Sequence, residues 1–224
     1  MTAPKTTYTP SAFREMNLER LHEIMATHSF ATLIVTQDNV PYISHVPLLL
    51  DAKTNCLRGH LARVNPIAKL DLTQPHHAVA IFHGPNAYVS PSWYASKQTT
   101  HKVVPTWNYI SVHAIGTLTT TSDSYWIQAN VAALSDVHEA ALGKSWKITD
   151  APANYIALLA RAIVGIELHI DSIEGKFKLG QDKKGGDVTG VIEGLREAAT
   201  SGATPNVSGS TEIADWMARI QNDL

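Results

Sequence analysis

An arginine close to a helix start gives residues 59–66 the clearest potential for binding an anion. The Arg63 guanidinium presents a planar fork of N–H donors that matches a phosphate group. Asn65 followed by Pro66 is the pattern of a helix N-cap and first helical residue, which leaves backbone N–H groups pointing outward there. This succession predicts an anion site. A surface ion pair followed by an ordinary cap fits the same residues.

Two aromatic rings around an amide form a second group. Trp107, Asn108 and Tyr109 together can stack on a planar heterocycle and hydrogen-bond its edge. The alternating polarity of residues 107–119 predicts a strand, with Trp107 and Tyr109 on one face and Asn108 on the other. Rings in a strand also fit an ordinary core, and the residues alone leave both interpretations open.

Lys176 and Lys178 alternate just after a predicted strand. Their ammonium groups can pair with phosphate, or they can protect a sheet edge from pairing with another chain. Taken alone, the edge role is the simpler interpretation.

Metal and nucleophile motifs are absent from the sequence. None of the eleven histidines shows the His-Glu-x-x-His spacing of a zinc site, and we predict no metal. Gly-x-Ser-x-Gly and Gly-x-Gly-x-x-Gly are also missing, which disfavours α/β-hydrolase and Rossmann sites. The single cysteine, Cys56, excludes an intramolecular disulfide and is expected to be a buried, inert thiol in a strand. No catalytic acid, base or nucleophile is predicted.

The composition is that of a soluble globular protein, with 44% hydrophobic and 17% charged residues over 224 positions. The net charge of −2 and the acidic residues of the last predicted helices disfavour direct DNA binding. Neither an apolar signal core nor an apolar run approaching ~20 residues is present, so we expect a cytoplasmic protein without a membrane span.

The elements that must position these residues follow from hydrophobic periodicity and turn residues. Strands separated by short polar turns indicate an antiparallel meander, and a turn is predicted at Gly84-Pro85. The predicted strands are 30–36, 41–50, 57–61, 78–82, 87–90, 107–119 and 162–173. The predicted helices are 11–27, 66–72, 122–142, 153–159, 187–200 and 210–223.

This pattern predicts a mainly β fold with helical additions, a small barrel under helical covers. We expect one domain over residues 1–200, a Ser/Gly/Thr/Pro-rich linker over 201–209, and a C-terminal helix over 210–224. That helix is expected to pack on the barrel or on a dimer mate.

Four stretches together resemble the PaiB family. They are Gly-His-Leu-Ala-Arg-x-Asn-Pro, Phe-x-Gly-Pro-x-Ala-Tyr-x-Ser-Pro-Ser-Trp-Tyr, Val-Pro-Thr-Trp-Asn-Tyr and Gly-Lys-Phe-Lys-Leu-x-Gln. The resemblance extends from about residue 8 to 195. It implies an FMN-binding split β-barrel, similar to pyridoxamine-phosphate oxidases, that forms a homodimer with flavin at the interface. Gly180 and Asp182 depart from the family's Ser and Asn, and residues 97–102 resemble an insertion.

The resemblance also implies which residues bind the flavin. The phosphate is expected at Arg63 and the helix start, with Lys69 and Lys178 as weaker contacts. His60 and the strand around His45 are expected at the ring edge, and the aromatic strand is expected to reach the same site, from either subunit. The expected cofactor-binding residues are Ser44, His45, Val46, His60, Arg63, Asn65, Lys69, Trp107, Asn108, Tyr109, Lys178 and Gln181.

Three functions are compatible with this interpretation. The first is an FMN-dependent oxidoreductase acting on a small molecule. The second is a flavin-responsive negative transcriptional regulator without catalysis, as members of the family are often labelled. The third and weaker one is haem binding or degradation, because some split-barrel relatives bind haem and the chain is rich in histidine. The visible spectrum of the protein separates flavin from haem.

Overall fold

The computed structural model describes residues 7–70 and 76–222. Eight strands carry the architecture: β1 (Arg14–Glu15), β2 (Phe30–Gln37), β3 (Val40–Pro47), β4 (Leu49–Asp51), β5 (Cys56–Ala62), β6 (His76–Val89), β7 (Thr106–Thr121) and β8 (Ile163–Lys178). Six helices accompany them: α1 (Leu18–Thr27), α2 (Lys97–Thr100), α3 (Ser124–Ala141), α4 (Ala153–Ala160), α5 (Gly186–Ser201) and α6 (Val207–Asn222). The predicted mainly β fold with helical additions is confirmed.

The strands form one sheet in the order β3-β2-β6-β7-β8-β5-β4, and β1 pairs with β8. β2 and β3 form an antiparallel hairpin whose turn is the pair Asp38 and Asn39, with φ of 52° and 63°. Two successive positive φ angles define the turn that matches the twist of a two-residue hairpin, and Asp and Asn tolerate them best after glycine. The predicted turn between the first two strands is therefore confirmed.

The described chain groups into two compact units. The first unit contains the described parts of residues 1–17, 83–112 and 174–224, and the second contains those of 18–82 and 113–173. Three of the four dividing points fall within β6, β7 and β8, and the fourth lies between β1 and α1. Leu33, Leu57 and Ile166 are buried in the second unit, and Ile110 and Phe177 in the first.

The N-terminal segment differs from the predicted helix over 11–27. α1 begins only at Leu18, because the Glu15 carboxylate accepts hydrogen bonds from the backbone N–H groups of Met16 and Asn17, both at 2.8 Å. Arg14 and Glu15 themselves pair with β8. Tertiary strand pairing thus prevails over local helical spacing.

The predicted turn at Gly84-Pro85 is wrong, because β6 runs through both residues. Gly84 lies against β7, where an added Cβ would approach the Ile110 side chain and carbonyl oxygen to 3.0 Å. Glycine at this point allows two neighbouring strands to pass closely. The two short strands expected here are one strand of 14 residues.

The long helix α3 lies within two residues of its predicted start and one of its predicted end, and the Asp123 side chain caps it by accepting from Tyr125 N. Its buried residues are Ile127, Asn130 and Leu134, whereas Val137 and Leu142, at its C-terminal end, are exposed. α3 packs against β5 and α4. A polar residue therefore lies on the buried face of this helix.

The two C-terminal helices, α5 and α6, contact each other within the first unit. Ile213, Trp216 and Met217 of α6 are buried, and the Trp216 ring meets Phe177 edge-on at 5.3 Å. The expected limits of the domain and linker remain predictions. Residues 71–72 of the predicted short helix and 223–224 at the C-terminus lie outside the described residues. No helix in the described part of the chain is both long and apolar enough to span a membrane.

Candidate functional site

Exposed aromatic rings mark the outward face of β7 in the first unit. Trp107 is 54% exposed and Tyr88, on β6, is 48% exposed. Their ring centroids lie 6.0 Å apart in an edge-to-face arrangement. Asn108 lies on the buried face, as predicted, and the alternative that Trp107 is a core aromatic is wrong.

Two lysines of β8 fix this aromatic strand. Lys178 Nζ donates to Thr106 Oγ1 at 2.6 Å and to the carbonyl oxygen of Trp107 at 2.5 Å, and burial lowers the pKa of Lys178. Lys176 Nζ lies 5.3 Å from the centroid of the Tyr109 ring, a cation–π contact. Both lysines belong to the strand rather than to the segment after it.

Two other residues expected to bind the flavin, Asn108 and Gln181, form hydrogen bonds within this unit instead. Asn108 Nδ2 donates to Met217 Sδ at 3.3 Å and is buried. Gln181 closes the turn after β8: its Oε1 accepts from Leu179 N at 2.8 Å, and its Nε2 donates to Phe177 O at 2.5 Å. The next residue back, Gly180, has φ of +80°, which favours glycine over the family's serine.

Arg63, in the second unit, is exposed and anchored to backbone oxygens. Its Nε donates to Arg161 O at 2.9 Å and its Nη2 to Ile163 O at 3.0 Å, with Ser122 Oγ at 3.5 Å from Nη1. A guanidinium has five N–H donors, so these three bonds leave two for a further acceptor. These bonds fix the orientation of the guanidinium and leave two of its N–H donors unused.

The predicted N-cap at Asn65 is confirmed, and both the oxygen and the nitrogen of its side-chain amide form hydrogen bonds. Oδ1 accepts from Ile67 N at 2.9 Å, and Nδ2 donates to Ser44 Oγ at 2.8 Å. The helix that follows is a single 3₁₀ turn, Pro66–Lys69, rather than the expected helix over 66–72. One turn has only a small dipole, so Arg63 and the exposed Lys69 are the cationic groups there.

The four residues expected at the ring edge face in different directions. Ser44 and Val46 are buried, whereas His45 is exposed on the outward face of β3, with its Nδ1 3.1 Å from Thr32 Oγ1. The predicted second strand, 41–50, is interrupted at Leu48 and forms two strands, β3 and β4. Of these two, only β4 pairs with β5, so the expected hairpin of the second and third strands is limited to β4 and β5.

His60 lines an apolar cavity of about 300 Å³ between β5, α3 and α4. Its Nδ1 is buried without a hydrogen-bond partner among the described residues, and burial lowers its pKa. Gln128 is the other polar residue of the lining, and the rest are aliphatic side chains such as Ile127, Ile156 and Leu159. The apolar surroundings therefore disfavour the charged form of the His60 imidazole.

The structure brings together the side chains of Cys56, Glu167 and His169, a group that the sequence analysis did not predict. Cys56 Sγ lies 2.9 Å from His169 Nδ1, and His169 Nε2 lies 3.1 Å from Glu167 Oε1. Cys56 and His169 are direct partners across β5 and β8, a register that only the folded sheet supplies. Glu167 is also bound to Arg58 Nε at 2.7 Å, which already neutralises the carboxylate.

Comparison with known proteins identifies a matching family model and several proteins of similar sequence. The family model described as "Putative FMN-binding domain" matches residues 7–172. An uncharacterized protein of Emericella nidulans is 35% identical over 190 residues, covering 70% of this chain and 76% of that protein. The Protease synthase and sporulation protein PAI 2 of Bacillus subtilis is 28% identical over 220 residues, covering 93% and 96%.

A solved structure shares the architecture. The FAD and heme binding protein from Mycobacterium smegmatis superimposes with a TM-score of 0.54 at 16% identity, covering 79% of this chain and 78% of that one. At this level of identity the likeness concerns the fold alone. It confirms the predicted split β-barrel.

Proposed function

Because this chain belongs to the PaiB family of FMN-binding-domain proteins, we propose that it binds FMN at a homodimer interface and acts as an oxidoreductase on a small molecule. The family match supports a flavin cofactor. When bound, the flavin supplies the electron-transfer chemistry, and the protein supplies binding, orientation and exclusion of water.

The observation that carries this proposal is the exposed Trp107 ring beside the edge of Tyr88. Exposed neighbouring aromatic rings mark a surface that a ligand or a partner covers. A flat indole that is held from behind by a buried strand face suits stacking by a planar heterocycle. The residues present therefore fit an isoalloxazine ring.

Lys178 supports this wall by fixing the main chain at Trp107. Its two hydrogen bonds hold the start of β7 in place, so the backbone that carries the indole is fixed before the flavin binds. Preorganised contacts bind more tightly because less conformational entropy is lost on binding.

For the phosphate we retain Arg63 as the principal contact and Lys69 as a weaker one. The guanidinium keeps two N–H donors while its plane is fixed by two backbone oxygens, and Arg suits phosphate in this geometry. We leave Asn108, Gln181 and Val46 out of the proposed site. The side chains of Asn108 and Gln181 form hydrogen bonds within the protein, and Val46 is buried.

The test is the visible spectrum of the purified protein, followed by titration of the flavin-free protein with FMN and with riboflavin. We expect flavin bands, and tighter binding of FMN than of riboflavin because only FMN carries the phosphate. A Soret band instead would replace the proposal with the haem alternative. Equal affinity for the two flavins would remove FMN as the cofactor.

A further inference from the structure

Two cavities of the second unit differ in the charge of their walls. The larger one, of about 620 Å³, lies between α3 and the hairpin of β4 and β5, and it is lined by charged residues such as Lys53 and Arg58 as well as by Trp126 and Asn130. The smaller one is the His60 cavity of about 300 Å³, which shares no lining residue with it. None of the described residues that line the smaller cavity is an acid, a lysine or an arginine. It therefore suits an uncharged molecule, because burying an unpaired charge is unfavourable.

The wall of the His60 cavity is largely aliphatic and partly open to water. Four isoleucines contribute to it, from α3, the 3₁₀ turn before α4, α4 and β8: Ile127, Ile148, Ile156 and Ile163. Leu159 also lines the cavity and is 47% exposed, so the mouth has an apolar rim. An apolar molecule that displaces water from these side chains is bound favourably.

Hydrogen bonds to the backbone hold one side of this wall in place. The backbone N–H of Arg63 donates to Ala162 O at 2.8 Å, and Arg63 Nη2 donates to Ile163 O at 3.0 Å. Both acceptor residues line the cavity. This side of the cavity is therefore formed before a ligand binds, which reduces the entropy cost of binding.

The two ring nitrogens of His60 are in different surroundings. Nδ1 is enclosed by protein and has no hydrogen-bond partner among the described residues. Nε2 also forms no hydrogen bond with a described residue, but it is not among the enclosed atoms, so a molecule in the cavity can reach it. A neutral imidazole has one N–H group, and at Nδ1 that group would be buried without an acceptor. The proton is therefore favoured at Nε2, which makes this nitrogen an accessible donor.

Gln128 is the other polar residue of the lining, and its amide nitrogen is already bound. Its Nε2 donates to Ser124 Oγ at 3.0 Å, one turn earlier in α3. His60 Nε2 is thus the donor in this lining that a ligand would satisfy. An acceptor oxygen provides the partner without bringing a charge into the cavity.

We propose that the His60 cavity binds a small, uncharged aliphatic compound with one acceptor oxygen, such as a ketone. The oxygen accepts a hydrogen bond from His60 Nε2, and the hydrocarbon part covers the isoleucines. The proposal assigns the imidazole to this ligand instead of the flavin ring edge expected from the sequence. All the lining residues belong to the second unit, whereas the Trp107 wall belongs to the first.

The experiment is a titration of the full-length protein, as isolated, with the aliphatic ketone menthone, followed by NMR of ¹³C-labelled isoleucine methyl groups. We expect saturable shifts of the four lining isoleucines, and no shifts of Ile110 and Ile213, which are buried in the first unit. FMN is not added, so the result does not depend on the proposed cofactor.

His60→Leu removes the donor at similar volume, and it should bind menthone about three-fold to ten-fold more weakly, the contribution of one hydrogen bond between neutral groups. His138→Leu is the matched control, because it makes the same substitution at an exposed position of α3, and its affinity should equal that of the natural protein. Cyclohexanecarboxylate should not bind, since its charge has no cation to pair with in the lining.

Filling the cavity provides an independent measurement. Ala160 lines the cavity and is 7% exposed, so Ala160→Leu should abolish menthone binding by occupying its space. Ala133→Leu adds the same atoms beside the larger cavity and should leave the affinity unchanged. The proposal is overturned if menthone shifts none of the four isoleucine methyl groups, if His60→Leu binds it as tightly as the natural protein, or if Ala160→Leu still binds it.

Discussion

The Lys178 ammonium donates a hydrogen bond to the carbonyl oxygen of Trp107, so the charged end of one strand fixes the aromatic start of its neighbour. The indole itself remains 54% exposed. Two residues thus have different parts: the lysine holds the main chain, and the exposed ring is the surface that we propose to stack on the flavin.

Replacing Trp107 with leucine should therefore weaken FMN binding by about three-fold to ten-fold, the contribution of one aromatic stacking contact. The melting temperature of the flavin-free protein should change little, because the ring is half exposed. Flavin fluorescence titration and thermal unfolding measure the two effects. Trp146→Leu is the control, since Trp146 is also exposed, at 40%, but belongs to the other unit. A sharp loss of stability with unchanged FMN affinity would show that Trp107 supports the fold and does not contact the flavin.

Arg63→Ala should weaken FMN by about ten-fold to a hundred-fold, the contribution of one charge-assisted contact. Riboflavin affinity should stay the same, because riboflavin has no phosphate. Arg196→Ala controls for loss of a surface arginine, since Arg196 is paired with Asp215 on the C-terminal helices. An equal effect on both flavins would show that Arg63 acts through its backbone contacts.

The protein should be a homodimer, with a mass by light scattering of about twice 24.4 kDa. Val104 is 73% exposed and precedes the aromatic strand, so Val104→Asp should shift the equilibrium towards monomer by placing a charge beside the proposed interface. Leu142→Asp, at a position 72% exposed in the other unit, should leave the mass unchanged. A monomeric natural protein at micromolar concentration would contradict the shared flavin site.

His60 should make stability depend on pH in mildly acidic solution. Burial lowers the pKa of His60 below its ordinary 6.5, so as the pH falls the unfolded chain takes up this proton first. The free energy of unfolding should decrease from pH 6.5 down to the lowered pKa. Urea unfolding at a series of pH values measures this slope. His60→Gln should reduce it, whereas His138→Gln, at an exposed position, should not.

Cys56 should react slowly with a thiol reagent such as DTNB. The side chain is 1% exposed, and burial raises the pKa of the thiol, so little thiolate is present or accessible. Denaturant should expose one rapidly reacting thiol per chain. Reaction of the native protein at the rate of a free thiol would instead indicate that His169, at 2.9 Å, activates the sulfur.

Local signals predicted much of this fold. The Asp38 and Asn39 turn, the Asn65 cap and the alternation of β7 each follow from a few neighbouring residues, and the structure has all three. The start of the N-terminal helix was misplaced because local signals do not report distant pairing. Arg14 and Glu15 pair with β8, about 160 positions away in the sequence.

The candidate site was less predictable for the same reason. Residue types indicated the Trp107 surface and Arg63, but not the side-chain environment of each. Asn130 has the polarity of a surface residue and only the packing of α3 reveals its burial. Cys56 and His169 are 113 residues apart, and their contact requires the register of β5 against β8.

The Trp126 ring rests directly on the backbone of Gly165, a residue that lines neither cavity. Even one methyl group at position 165 would push the indole outward, since the space that its carbon needs is already filled. Homologous chains that carry a larger residue there must tilt the ring and reshape the space beside Asn130. The shape of this cavity can thus differ between relatives through a position that does not line it, and a comparison restricted to lining residues would miss the difference.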